Sequence, residues 1–192
     1  AAPGGWAWTD LSGGVPDADD TPGALLALSL LGQDDPGLCA AAERGVDWLL
    51  GTQNRDGGMP TFCRGWGQLP FDRSSADLTA HALRAWQCWG SDLSTRVQGR
   101  LDSAAKRSID YLLQTQLPSG AWVPLWFGNQ HLREEENPVY GTSRVLLAWV
   151  ATRNMQRVDW EAAALRAWGW LLEQQNSDGG WGGGLDFDAN SF

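Results

Sequence analysis

The sequence is short of positive charge, of cysteine and of long apolar runs, and each shortage removes a class of function. Fourteen Lys and Arg stand against 23 Asp and Glu, a formal net charge of −9. A polyphosphate backbone, or an anionic bilayer held by charge alone, would be repelled by that surplus, which argues against a nucleic-acid partner. Three cysteines, Cys39, Cys63 and Cys88, show no CxxC or Cys/His ligand spacing. An odd number cannot all pair within one chain, so they read as reduced thiols of a cytoplasmic protein. The apolar runs at 24–31 and 145–150 fall well short of the ~20 residues that span a bilayer, and no signal-peptide pattern opens the sequence.

What abounds is tryptophan, with 13 copies, and glycine, with 24, often side by side. Self-similarity at a fixed period accounts for both. Arg44-Gly45-Val46-Asp47-Trp48-Leu49 with Gln53 and Gly57 aligns without gaps on Arg107-Ser108-Ile109-Asp110-Tyr111-Leu112 with Gln116, Gly120 and Trp122. It aligns equally on Arg166-Ala167-Trp168-Gly169-Trp170-Leu171 with Gln175, Gly179 and Trp181, giving helix-turn segments 43–59, 106–122 and 165–181. In each copy a helix runs into a turn whose Gly supplies the φ > 0 residue. The Gln is placed to bond backbone groups at that turn while the Trp covers its apolar side. Gly4-Gly5-Trp6 reads as the tail of a fourth copy whose helix lies before residue 1, and Met59 stands in the Trp position of the first complete copy.

Second helices, rich in Ala and Leu, fall between the copies at about 20–31, 75–89 and 141–153. Their partners, near 37–53, 102–116 and 159–175, carry more charge. Apolar helices alternating with amphipathic ones predict an inner and an outer layer: an all-α fold, an α/α toroid built of helix hairpins, here an arc of about three. One domain over 1–192 suits the length. An arc leaves its apolar inner face open to water. The chain is therefore either a piece of a larger toroid or a homo-oligomer of such arcs.

The repeat basic-small-x-x-aromatic-aliphatic-x-x-x-Gln-x-x-x-Gly-x-Trp resembles the QW repeat of squalene-hopene and oxidosqualene cyclases. Pro16-Asp17-Ala18-Asp19-Asp20-Thr21 resembles that family's DxDD segment, and Asp77-Leu78-Thr79-Ala80-His81 its following histidine helix. Order and spacing agree over essentially all 192 residues. The resemblance implies a partial cyclase domain, with a comparable length before residue 1 and a terminal segment after Phe192. It also implies class II, proton-initiated cyclisation of a linear isoprenoid, squalene to a polycyclic triterpene such as hopene, with no cofactor or metal. Family members are monotopic, so the resemblance adds a peripheral seat on the inner membrane face through parts outside this stretch.

Protonating an alkene needs a carboxyl that is both un-ionised and a willing donor, which one isolated Asp of pKa about 4 is not. Asp17, Asp19 and Asp20 crowd three carboxyls at a helix start, where repulsion keeps one protonated, and a cationic His81 would steady the charge left behind. By resemblance Asp19 is the donor, His81 its acid-strengthening partner, and Asp17 and Asp20 the supporting carboxylates. Tyr140, in Val139-Tyr140-Gly141-Thr142, matches a tyrosine near the same network. On residue pattern alone the aspartates read as a helix cap with an acidic first turn, and His81 as a core histidine bonded to a carbonyl.

Carbocations require π faces and exclusion of water. Trp8, Phe62 and Trp126 occupy family positions for substrate-binding aromatics, with plain core packing as the alternative for each. Trp8 and Phe62 change the aromatic type, Pro22 follows DxDDT where a small residue is usual, and the insert 129–138 with Glu134-Glu135-Glu136 is longer than in the family. These departures bear on product and substrate more than on reaction class. A shorter prenyl chain or its diphosphate is the alternative substrate, with Arg64, Arg73 and Arg133 as loop candidates to meet the anion. A non-catalytic α/α module binding an apolar ligand or a protein partner is the alternative of another class. Metal-assisted ionisation is disfavoured, because Asp34-Asp35-Pro36-Gly37-Leu38 lacks the third carboxylate of DDxxD and no Asp, Cys and His zinc set is present.

Overall fold

Helices of two characters alternate along the chain, and the computed structural model sorts them into two rows. It describes residues 4–31, 35–62, 64, 69–128 and 136–182. One row holds α1 (Asp20–Ser29), α3 (Ala76–Trp89) and α5 (Pro138–Ala151). The other holds α2 (Pro36–Thr52), α4 (Thr95–Thr115) and α6 (Val158–Glu173). Within the rows α3 packs between α1 and α5, and α4 between α2 and α6; α1–α2, α3–α4 and α5–α6 pack as hairpins across them. The protein is thus the all-α arc of hairpins that the periodicity predicts. Among the described residues the sole β feature is an isolated bridge between Met59 and Ser75.

Burial follows from the residue patterns. Helix α3 is buried nearly all round, from Ala76 through Trp86 and Trp89 and including the polar Asp77, Thr79 and His81, because α1, α4 and α5 all pack against it. Helix α4 buries a single stripe, Val97, Leu101, Ala105, Ile109 and Leu112, at helical spacing. That stripe explains why α4 starts at Thr95 rather than near 102: Val97 and Leu101 extend it by two turns. Gly99 does not break the helix, and a side chain there would meet open space. Helix α5 also starts early, at Pro138, because Asn137 Oδ1 accepts the Tyr140 N–H at 3.2 Å with proline in the first turn.

The first two Gln turns form joints between successive outer helices. Gln53 Nε2 donates to Gly57 O at 2.9 Å in its own turn and to Ala104 O at 3.0 Å on α4. Gln116 Nε2 repeats this with Gly120 O and Ala163 O, both at 2.8 Å. In return Arg107 donates to Gln53 Oε1 and Arg166 to Gln116 Oε1. The glycines explain themselves at the same joints. Gly57 has φ +92, and a Cβ there would sit 2.3 Å from Arg107 O; Gly120 has φ +98 and would meet Arg166 O at 2.9 Å. Gly4, at φ +124 and 2.5 Å from Arg44 O, makes the same contact, so the fourth partial copy is packed like the others. The third copy keeps its internal bond, Gln175 Nε2 to Gly179 O at 2.8 Å, but Gly179 faces nothing within 4 Å.

Candidate active site

A second set of repeated bonds ties each turn to the inner row. The backbone N–H groups of Trp6, Met59 and Trp122 donate to the hydroxyls of Thr21, Thr79 and Thr142 at 2.9, 2.9 and 3.0 Å. All three threonines are fully buried. They set a common register on α1, α3 and α5. Two residues before each threonine stand Asp19, Asp77 and Tyr140; two residues after stand Gly23, His81 and Arg144. The singled-out polar residues thus occupy two equivalent positions on successive helices, all in the first two turns or just before them. Gly141 lets α5 seat there, since a Cβ would lie 2.4 Å from Trp122 O.

Asp17 closes the start of α1. Its Oδ1 accepts the N–H groups of Asp19 at 2.9 Å and Asp20 at 2.6 Å, the capping geometry that residue pattern alone suggests. Burial pushes its carboxyl up to about 6, against the downward pull of those two N–H groups, and the Asp20 charge adds to the rise. Asp20 is half-buried in the first turn of the helix.

Asp19 stands where the three inner helices meet. Its Oδ1 lies 3.9 Å from His81 Nε2 and 4.0 Å from an Arg144 guanidinium nitrogen. Its side chain is 41% exposed in this arc. Burial raises its proton affinity, Arg144 lowers it, and the charges of Asp20 and Asp77 raise it again. Such a carboxyl holds a proton beyond the ordinary carboxylate range, yet has a permanent cation at hand for its conjugate base.

The charge on His81 differs from the cation expected of it. Burial, then Arg144, then Arg84 depress its pKa to about 3, so the imidazole is neutral near pH 7. Its Nδ1 is buried without a hydrogen-bond partner. The pattern of the sequence put a His beside three acids, with Arg84 one turn further along the same helix, and could not reveal the burial of the ring or the approach of Arg144.

Arg144 is the residue that sequence reasoning missed. Its side chain is 23% exposed, its guanidinium carbon lies 5.7 Å from the centroid of the Tyr140 ring, and its Nε is buried without a partner. Tyr140 in turn packs on Phe127, with ring centroids 5.0 Å apart. Asp77, two residues before Thr79, accepts a bond from the Ser75 hydroxyl, and its Oδ2 is buried and unpartnered. The Thr register held the signal for both residues, but it becomes visible only once the threonines are known to receive equivalent bonds.

The aromatic candidates divide. Ala18 N–H donates to Thr61 O at 2.8 Å, and the Trp126 indole donates to Thr61 Oγ1 at 2.6 Å, so one residue ties Trp126 and the adjoining Phe62 to the aspartate segment. Phe62 packs edge-on against Phe71 at 6.1 Å. Trp126 is 43% exposed and Phe62 37%, so neither is simple core. Trp8 is 75% exposed. Arg64 reaches Gly51 O on α2 at 3.4 Å, and Arg73 is exposed. Arg133, Glu134, Glu135, Asp34 and Cys63 lie outside the described residues.

The family model described as the squalene-hopene cyclase C-terminal domain matches residues 1–190. Similar curated proteins include the enfumafungin synthase of Hormonema carpetanum, 34% identical over 93% of this chain and 14% of its own length. The squalene hopane cyclase of Aspergillus fumigatus is 31% identical over 95% of the chain and 29% of its own length. The squalene-hopene cyclase of Bradyrhizobium diazoefficiens is 30% identical over 94% and 27%. The chain therefore spans well under a third of each of these relatives.

Proposed function

The chain belongs to the squalene-hopene cyclase family, and from that premise we propose that the protein carrying it opens a linear isoprenoid by protonation and closes it into rings. Squalene is the substrate that the names of two of these relatives suggest, and a polycyclic triterpene is the product. Asp19 is the acid, Asp17 and Asp20 are its supporting carboxylates, and His81 is its neutral neighbour. Trp8, Phe62 and Trp126 present π faces to the cation, and Tyr140 stands in the network around the acid. The observation that carries this reading is the placement of Asp19, its carboxyl aimed at the junction of three inner helices with its proton affinity raised by burial. The helix starts add their positive dipole ends to that junction, which favours the carboxylate left after donation.

A hydrocarbon of this class dissolves in lipid, so the reading includes a peripheral seat on a membrane. Among the described residues no helix is long and apolar enough to cross one. The test is gas chromatography with mass detection of hexane extracts after squalene is incubated with the full-length gene product. A new polycyclic peak is expected, and it should vanish in Asp19→Asn. Cyclisation at an undiminished rate by that variant would sink the assignment of the acid.

A further inference from the structure

Two side chains one repeat apart flank the same carboxylate oxygen, and only one of them carries a charge. His81 and Arg144 hold the same register on α3 and α5, two residues after Thr79 and Thr142, and approach Asp19 Oδ1 to 3.9 and 4.0 Å. On α1 the equivalent position is Gly23, which has no side chain to offer Asp19; an added Cβ there would make ordinary contact with His81 Nε2, at 3.7 Å. The Arg144 guanidinium is held over the Tyr140 ring, and its buried Nε has no partner. A guanidinium keeps its proton under all working conditions, whereas an imidazole in such a setting does not.

We propose that Arg144 is the positioning cation of the acid: it holds Asp19 in place and stabilises the carboxylate that Asp19 becomes, the role otherwise expected of His81. This rests on the reading of Asp19 as the proton donor. In the opening step the Asp19 O–H bond breaks and the proton joins the terminal alkene carbon, using the π pair to form the new C–H bond. A tertiary cation and the Asp19 carboxylate result. Arg144 keeps its own protons throughout and opposes the new negative charge. The cation ends by losing a proton or capturing water, and solvent reprotonates Asp19. No oxidant or reductant enters.

The groups that set the balance are Asp17, Asp20 and Asp19 at the start of α1, Asp77, His81 and Arg84 on α3, and Tyr140 and Arg144 on α5. Arg144 lowers the proton affinity of Asp19, so its removal makes Asp19 a weaker acid that stays protonated to higher pH. Activity needs protonated Asp19 and is lost as pH rises through its pKa. For Arg144→Gln in the full-length gene product, the plateau kcat on squalene should therefore fall, on the order of tenfold to a hundredfold, with KM little changed. The alkaline edge of the kcat profile should move upward at the same time, which a role in folding alone would not produce.

A fall in kcat with an unmoved edge, a rise in KM alone, or an unchanged plateau would each overturn the assignment. If Arg144→Gln does not fold by circular dichroism, Arg144→Lys decides, since it keeps the charge without the planar fork. It should retain a measurable part of the plateau with its edge close to the parent's. A loss as complete as that of Asp19→Asn rejects the cation role. Asp19→Asn run alongside separates the two failures: if it stays active, the acid reading falls; if it is dead while Arg144→Gln matches the parent, only the role of Arg144 falls.

Discussion

Asp17 does two jobs with one side chain, and the two can be separated by substitution. As a cap it needs only an acceptor at Oδ1; as a charge it is held in a buried place that disfavours ionisation. Its folded pKa of about 6 lies above its ordinary value, so the folded state binds the proton more tightly than the unfolded chain. The stability this contributes is complete below about pH 4 and is lost as pH rises through about 6, a change on the order of 3 kcal/mol. Asp17→Asn keeps the acceptor and removes the charge. Thermal melts should show a flatter profile between pH 4 and 7 and a midpoint at pH 7 no lower than the parent's. Asp17→Ala removes both bonds and should melt lower at every pH, by about 1 to 2 kcal/mol. If the Asn and Ala variants fall together, the cap is not what Oδ1 provides.

At the scale of the element, the joints make a paired prediction. Gly57→Ala forces a side chain into a φ of +92 and sets it 2.3 Å from the backbone of α4, whereas Gly179→Ala meets the same φ problem, at +91, with nothing in front of it. The first should cost about 2 to 4 kcal/mol and the second about 1, read from denaturant midpoints. Equal losses would mean that the contact with Arg107 contributes nothing. The same elements show what could be read from the chain. The Gln and Gly of each copy were legible because their bond stays at a fixed spacing within the turn, whereas the partner of each Arg lies one copy away. The early starts of α4 and α5 were not, since Val97 and Asn137 act through packing and capping that periodicity does not count. Asp19 and His81 were legible only through their motif. Arg144 and the neutral state of His81 were hidden because both depend on helices that are distant in sequence.

For the molecule as a whole, the third copy stands apart from the other two. Val46 and Ile109 are wholly buried in the first and second copies, while Trp168 at the same position is 53% exposed. Met59 and Trp122 are likewise buried, while Trp181 is 44% exposed. With Leu165 and Leu172, at 53% and 56%, Trp168 forms an apolar stripe along α6. Such a stripe tends to find cover. The 192-residue chain by itself should therefore sediment at more than its monomer mass of 20.9 kDa at micromolar concentration. Trp168→Glu should shift it towards the monomer. A parent that sediments as a clean monomer would show that the stripe tolerates water.

The joints have one more consequence, and it concerns how such a protein changes over generations. Each Gln amide and each joint glycine addresses a main-chain carbonyl on the next helix, Ala104 and Arg107 in one case, Ala163 and Arg166 in the other. Main-chain atoms are the same whatever residue bears them. The outer helices can therefore stay in register while side chains of the inner row, apart from the threonines that tie the turns, drift, and a lineage can re-line the inner face without redesigning the frame that holds it.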